Sequence, residues 1–260
     1  MSPGRGEAAV PSDMRVAVAG ATGRTGREIT AVLDRAGHAS VAIARSRGVD
    51  VLTGAGLDHA LSGVDAVVDV TNFPAADLEA ARRAFGTATR HLLEAEARAG
   101  VRHHVLLSIV GIDRGGRTPH YEGKRTQEAL VAAGPVPFTI QRATQFFDFP
   151  EMVVGWVRKD QVAVVPPLLL QPVAVSDVAQ VLVEIAIGPA RMGRAPDLAG
   201  PSTEDFVDMA RRTLQARGDT TRLVPSWRGL FGVEAAGEVL LPDPGARLGT
   251  TTFDEWLAKR

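Results

Sequence analysis

Short apolar runs rich in β-branched residues alternate with longer amphipathic stretches through the first half of the chain. Residues 14–19 (MRVAVA), 41–44, 66–70 (AVVDV), 105–107 and 138–141 read as strands, with 49–52 a weaker one. A helix opens within residues 20–26, runs to Ala36 and is ended by Gly37; further helices are expected over 77–99 and 117–132. The strands are apolar almost throughout instead of alternating, the pattern of strands buried on both faces. Strand–helix alternation of this kind predicts an α/β fold with a doubly wound parallel sheet.

After residue 142 the rhythm becomes irregular. Residues 162–165 and 171–175 read as short extended pieces around the Pro166-Pro167 turn, and 177–187 and 203–217 as helices. A small C-terminal lobe folded over the carboxyl edge of the sheet is expected. Asp177, placed before an apolar helical run, reads as a helix-start residue.

Composition narrows the function classes. The 260 residues include no cysteine, which excludes disulfides, thiolate metal sites and cysteine nucleophiles. Lys and Arg number 29 against 30 Asp and Glu, a net charge of -1, so a sequence-independent grip on nucleic acid is not expected. No run approaches the roughly 20 apolar residues that span a bilayer, and residues 162–170 are interrupted by two prolines. Residues 1–13 lack the apolar core of a signal peptide and read as a frayed extension of a cytoplasmic protein.

The strongest motif is Gly20-Ala-Thr22-Gly23-Arg24-Thr25-Gly26, a G-x-x-G-x-x-G loop between the first strand and the first helix. The first glycine permits the tight turn, the second lets backbone approach a pyrophosphate, and the third lets helix and strand pack closely. An anion would then sit on the helix amides and dipole. The end of the second strand selects the nucleotide. An NAD site places Asp or Glu there for the ribose 2′-hydroxyl, whereas this chain reads Ala44-Arg45-Ser46-Arg47 with no acid before Asp50. Two guanidiniums suit a 2′-phosphate, so the expected cofactor is NADP(H), with Arg24 a further phosphate contact. Residues 14–145 are then mainly dinucleotide-binding and 146–260 mainly a substrate lobe, within one domain.

From Met14 onward the chain resembles the atypical short-chain dehydrogenase/reductases, specifically the NmrA-like NAD(P)-binding branch. The stretches that carry the resemblance are GATGRTG, GVDVLTGAGL, VVDVTN, HHVLLSIVGIDR, KRTQEALVAAGPVPFTIQRATQFFDF, PPLLLQPVAVSDVAQ, DLAGP and ARLGTTTFDEWLAK. The resemblance implies a Rossmann fold with strand order 3-2-1-4-5-6 and a small substrate lobe. It does not imply one reaction, because members include quinone and ketone reductases, tailoring enzymes and non-catalytic redox sensors.

Short-chain reductases place a Ser on the fifth strand and a Tyr-x-x-x-Lys pair on the next helix, where residues four apart share a face. Ser108 is the candidate serine. The helix reads His120-Tyr121-Glu-Gly-Lys124-Arg125, so in the register set by Lys124 the tyrosine position holds His120. Tyr121, the chain's single tyrosine, is displaced by one residue, about 100° around a helix. Either His120 or Tyr121 would supply a proton, or neither does. Lys124 would hold the nicotinamide ribose and lower the pKa of the donor.

Thr71, Asn72 and Phe73 follow the fourth strand, at the edge where cofactors lie in such sheets. Phe146, Phe147 and Phe149 follow the sixth strand and fit an apolar wall for a flat or aromatic substrate, with Trp156 a further candidate; Gln171-Pro172 is expected near the same cleft by family similarity. Adjacent His103 and His104 point to opposite faces of a strand and cannot chelate one ion, so no metal is expected. The expected function is an NADPH-dependent oxidoreductase passing hydride to a ketone, quinone or polycyclic carbonyl. The alternatives are an NADP-binding redox sensor without turnover, or an isomerase, dehydratase or hydrolase on the same fold. The partner is a small molecule, apolar or aromatic, with no membrane or nucleic acid; the oligomeric state stays open.

Overall fold

A computed structural model describes residues 13–190 and 192–260; of the expected N-terminal extension, residues 1–12 lie outside the described residues. The elements run β1 (Arg15–Ala19), α1 (Arg24–Arg35), β2 (Ala39–Ile43), α2 (Leu57–Leu61), β3 (Ala66–Asp69), α3 (Leu78–Ala99), β4 (His103–Ile109), α4 (Pro119–Ala132) and β5 (Phe138–Ala143). There follow α5 (Phe149–Val157), β6 (Arg158–Lys159), β7 (Val162–Val165), β8 (Leu169–Leu170), α6 (Val175–Ile187), β9 (Gly193–Arg194) and β10 (Leu198–Ala199). The chain closes with β11 (Glu204–Asp205), α7 (Phe206–Ala216), β12 (Arg222–Pro225), β13 (Arg247–Leu248) and α8 (Phe253–Leu257).

The main sheet has the order β2-β1-β3-β4-β5-β10-β13, with β9 also beside β5, and every pairing in it is parallel. Alternate residues of β1 feed two cores. Val16 and Val18 pack with Ile29 and Leu33 of α1 and with Val178 and Leu182 of α6. Ala17 and Ala19 face the opposite core, with Leu57 of α2, Leu92 of α3 and Val131 of α4. Helices therefore cover both faces, which is why the strands read as continuous apolar runs.

The family's order implies a strand outside β2, with residues 49–52 as its candidate. The structure corrects this: β2 is the edge strand, and that segment is a loop of turns. Asp50 Oδ1 accepts the Leu52 N–H at 2.8 Å, and Gly54 and Gly56 both turn at φ +77°, so the backbone donors are used locally. The strand at 105–107 is longer than expected, because the polar residues His103, His104 and Ser108 are buried in it as well.

Past residue 145, α6 packs back onto the main sheet and β9, β10 and β13 join it, within the one domain expected. What stands apart is a lobe built on α5, β7, α7 and β12, whose core includes Val153, Val165, Leu168, Leu170, Phe206 and Leu214. Asp177 lies inside the first turn of α6, after the cap residue Ala174. Its carboxylate accepts the N–H groups of Thr250 and Thr251 at 2.8 and 2.9 Å and the Thr251 hydroxyl at 2.8 Å, so it pins the approach to α8.

Candidate cofactor and active site

The strand order reverses around β1, which has β2 on one side and β3 on the other, and in open α/β sheets ligands bind in a crevice outside the carboxyl ends of the strands at such a point. The glycine loop lies at this point. Gly20 turns with φ +87°, and a Cβ on it would meet the Val70 carbonyl oxygen at 3.1 Å. A Cβ on Gly26 would lie 2.2 Å from the Gly20 oxygen and 2.6 Å from the Ala21 Cα, so loop and helix touch through backbone alone. Gly23 caps α1 without a side-chain acceptor, and the first turn holds no acidic residue. The first-turn amides of Arg24, Thr25 and Gly26 and the positive helix end are thus left to an anion. Thr22 is exposed and Thr25 half-buried beside them.

At the end of β2, Arg45, Ser46 and Arg47 form one exposed 3-10 turn closed by Gly48. Among the described residues neither arginine pairs with a carboxylate. Arg24 behaves differently. Its guanidinium pairs with Asp148 at the start of α5 and donates to Met152 Sδ at 3.4 Å, so the loop is tied to the lobe across the crevice.

Behind the crevice, Lys124 of α4 is buried and all three of its N–H bonds are used: Nζ donates to the carbonyls of Leu107 (2.9 Å) and Thr71 (3.2 Å) and to Gln127 Oε1 (2.9 Å). Gln127 Nε2 donates in turn to Asp69 Oδ2 at 2.7 Å, and the other Asp69 oxygen accepts the Thr71 N–H at 2.8 Å. Burial pushes the Lys124 pKa down to about 8, with Asp69 and Glu128 acting the other way. Asp69 and Gln127 were not foreseen from the sequence. The signal was present: an Asp ending a fully apolar strand, and a Gln three residues past the lysine on the same helix face.

His120 and Tyr121 part company on α4. His120 turns toward α3, its ring 6.2 Å from Phe85, which itself meets Phe73 edge-on at 5.1 Å. Burial, then the Lys124 charge, pushes the His120 pKa down to about 4. Tyr121 turns toward the loop after β4, where its ring lies against Gly115, and a Cβ on Gly115 would meet Cε2 at 2.9 Å. Burial raises the phenol, with Arg125 opposing. The Ser108 hydroxyl is buried in β4 and has no partner among the described residues. Thr71 is buried, Asn72 exposed and Phe73 half-buried along the edge after β3.

The four apolar candidates separate. Phe147 is 2% exposed and packs with Phe253 and Trp256 at 5.6 and 5.8 Å, so it belongs to a core rather than a wall, a correction to the expectation. Phe149 meets Phe206 and Phe231 edge-on within the lobe, Phe146 is half-buried beside Val173, and Trp156 is 59% exposed. Gln171 is half-buried, its Nε2 donating to the Gly200 carbonyl at 2.9 Å. His103 faces the Thr139 hydroxyl and His104 the Glu96 carboxylate, each 2.9 Å away, on opposite faces of β4.

Comparison with known proteins follows the same lines. The sequence model of the NAD(P)H-binding family matches residues 47–189. The chain is 31% identical over 244 residues to the (4-alkanoyl-5-oxo-2,5-dihydrofuran-3-yl)methyl phosphate reductase of Streptomyces griseus, covering 87% of this chain and 80% of that protein. Among solved structures it is similar to MoeE5 with UDP-glucuronic acid and NAD, at TM-score 0.74 and 18% identity over 95% and 97% of the two chains. It is also similar to the NADPH-dependent quinone oxidoreductase of Escherichia coli with NADPH, at TM-score 0.70 and 17% identity over 94% and 99%. Those structural likenesses concern the fold. A bare helix terminus behind a backbone-tight glycine loop fits a nicotinamide dinucleotide, and the Gly20 to Gly26 loop, Arg45 to Arg47 and Thr71 to Phe73 are the residues that could hold one. No helix among the described residues is long and apolar enough to cross a membrane. The chain belongs to the NAD(P)H-binding, NmrA-like family of Rossmann-fold reductases.

Proposed function

We propose that the protein is an NADPH-dependent reductase of the atypical short-chain type, acting on a ketone, quinone or related carbonyl compound. The observation that carries the reading is the pairing of an α1 terminus that has no side-chain cap and no acidic residue in its own first turn with two guanidiniums at the end of β2 that have no carboxylate among the described residues. When bound, NADPH supplies a hydride from its nicotinamide C4 to the carbonyl carbon. The chain's own residues do the rest. The unpartnered Ser108 hydroxyl, buried near the carboxyl end of β4, donates to the carbonyl oxygen. Tyr121 gives the proton that completes the alcohol: its raised phenol carries one throughout the neutral range, whereas His120, near pKa 4, is a neutral imidazole there. Phe146 and Trp156 are the apolar side chains left to meet the substrate. The Streptomyces relative is named for an oxo-dihydrofuran that bears an alkanoyl group, which supports a carbonyl substrate.

The test is NADPH oxidation followed at its absorbance maximum against a panel of quinones, ketones and alkanoyl furanones. Turnover with at least one class, lost in Tyr121→Phe, is expected. Tight NADPH binding without oxidation by any of them would make the protein a sensor, and a product of unchanged oxidation state would make it a non-redox enzyme.

A further inference from the structure

The buried polar chain beneath the site has a consequence for the lysine. An ammonium has three N–H bonds and no acceptor. In Lys124 all three are satisfied inside the protein, by two carbonyls from the ends of neighbouring strand segments and by the Gln127 amide. The amide is itself oriented, because its nitrogen donates to Asp69 Oδ2 (2.7 Å) and to the Thr71 hydroxyl (3.3 Å), which leaves its oxygen facing Nζ. The second Asp69 oxygen fixes the Thr71 N–H, so one carboxylate sets both the lysine and the turn that starts the cofactor edge. Asp69, Thr71, Lys124 and Gln127 are each at least nine-tenths buried.

We propose that Asp69 and Gln127 are positioning residues for Lys124, and that they hold its ammonium as a fixed charge under the cleft before any nucleotide binds. The proposal rests on the reductase reading only for the identity of the cleft; the lysine's own state is measurable without turnover. Other charged groups face the cluster too. Glu128 lies on α4, His120 feels the lysine charge from one turn earlier, and Asp69 acts on the buried His104 and Glu96 as well as on the lysine. Lys124 also stands 5.5 Å over the Phe85 ring.

The chain has lysine only at 124, 159 and 259, so selective labelling gives a readable spectrum. In protein carrying 15N-lysine, followed from pH 6 to 10, Lys124→Met assigns the signal. Wild type, without nucleotide, is expected to show one slowly exchanging ammonium that titrates well below the other two. Gln127→Leu, which removes the acceptor, is expected to speed exchange at least about tenfold and lower the midpoint by about one pH unit, since a hydrogen bond to the charged form is lost. Asp69→Asn, nearly isosteric, is expected to lower the midpoint in the same direction and serves if Gln127→Leu does not fold. A fast-exchanging wild-type Lys124, a midpoint unmoved in either variant, or exchange that slows only when NADPH binds would overturn the proposal. Failure of wild type to bind NADPH would instead sink the reductase reading and leave the lysine result standing.

Discussion

The glycine loop with its flanking strands and the C-terminal lobe are built on different terms. In the first, the requirements are local: a turn at φ +87° and a helix that touches its own loop through backbone, both within seven consecutive residues. In the second, the contacts are distant in sequence. Phe149 meets Phe206 and Phe231, β7 pairs with β12, and Asp148 reaches Arg24 of the glycine loop. A locally specified site announces its ligand, while a surface assembled from remote segments does not announce its substrate. That is why the cofactor class is read more firmly here than the molecule that is reduced.

The sharpest way to break the contrast is to damage the loop. Gly26→Ala forces a Cβ into the Gly20 carbonyl and should cost about 3 kcal/mol of stability as overpacking, together with a loss of NADPH affinity beyond about 100-fold. Thermal unfolding and fluorescence titration read the two effects, and near wild-type values would mean that the loop yields. Beside the lobe, where Phe147 packs on α8, Phe147→Ala should cost about 3 kcal/mol by leaving a cavity among Phe253 and Trp256, with NADPH affinity kept. An unchanged melting temperature with a raised substrate KM would return Phe147 to the cleft wall.

Within the cleft, Tyr121→Phe should lower kcat about 100-fold with NADPH binding intact, the usual size of a proton-donor loss. His120→Ala should cost far less, and the reverse ranking in steady-state kinetics would reassign the donor. At the second strand, removing both Arg45 and Arg47 should weaken NADPH about 30-fold while NADH is untouched, a ratio measurable by competition.

The smallest expected effect concerns pH. Burial holds both His103 and His120 near pKa 4, below their ordinary 6.5, so the unfolded chain takes up protons first as the solution is acidified. Their contribution to stability is complete above about pH 6.5 and is lost progressively toward pH 4. The melting temperature should fall across that window, and His120→Phe, which cannot take up the proton, should flatten part of the slope. A slope identical to wild type would mean that His120 is not held neutral.

Much of this architecture was legible in the residues. The apolar runs at β1, β3 and β5, the helix starts after Gly23, Asp77 and Thr118, and the glycine loop all follow from local rules. The segment at 49–52 misled because Val49, Val51 and Leu52 carry strand-like side chains, whereas Asp50 and the glycines at 54 and 56 spend the backbone on turns. Phe147 and Phe146 are neighbours with the same composition, and only the distant α8 decides which one is core. Asp69 and Gln127 each stand out locally, as an acid in an apolar strand and a Gln one turn past the lysine, but that they pair across 58 residues leaves no periodic trace.

The most direct test of the account is calorimetric titration of wild-type protein with NADPH and with NADH under one buffer. The account predicts saturable binding of NADPH with a dissociation constant at least about tenfold below that of NADH. Equal affinity for the two would remove the role of Arg45 and Arg47, and no heat with either at millimolar concentration would contradict the cofactor site itself.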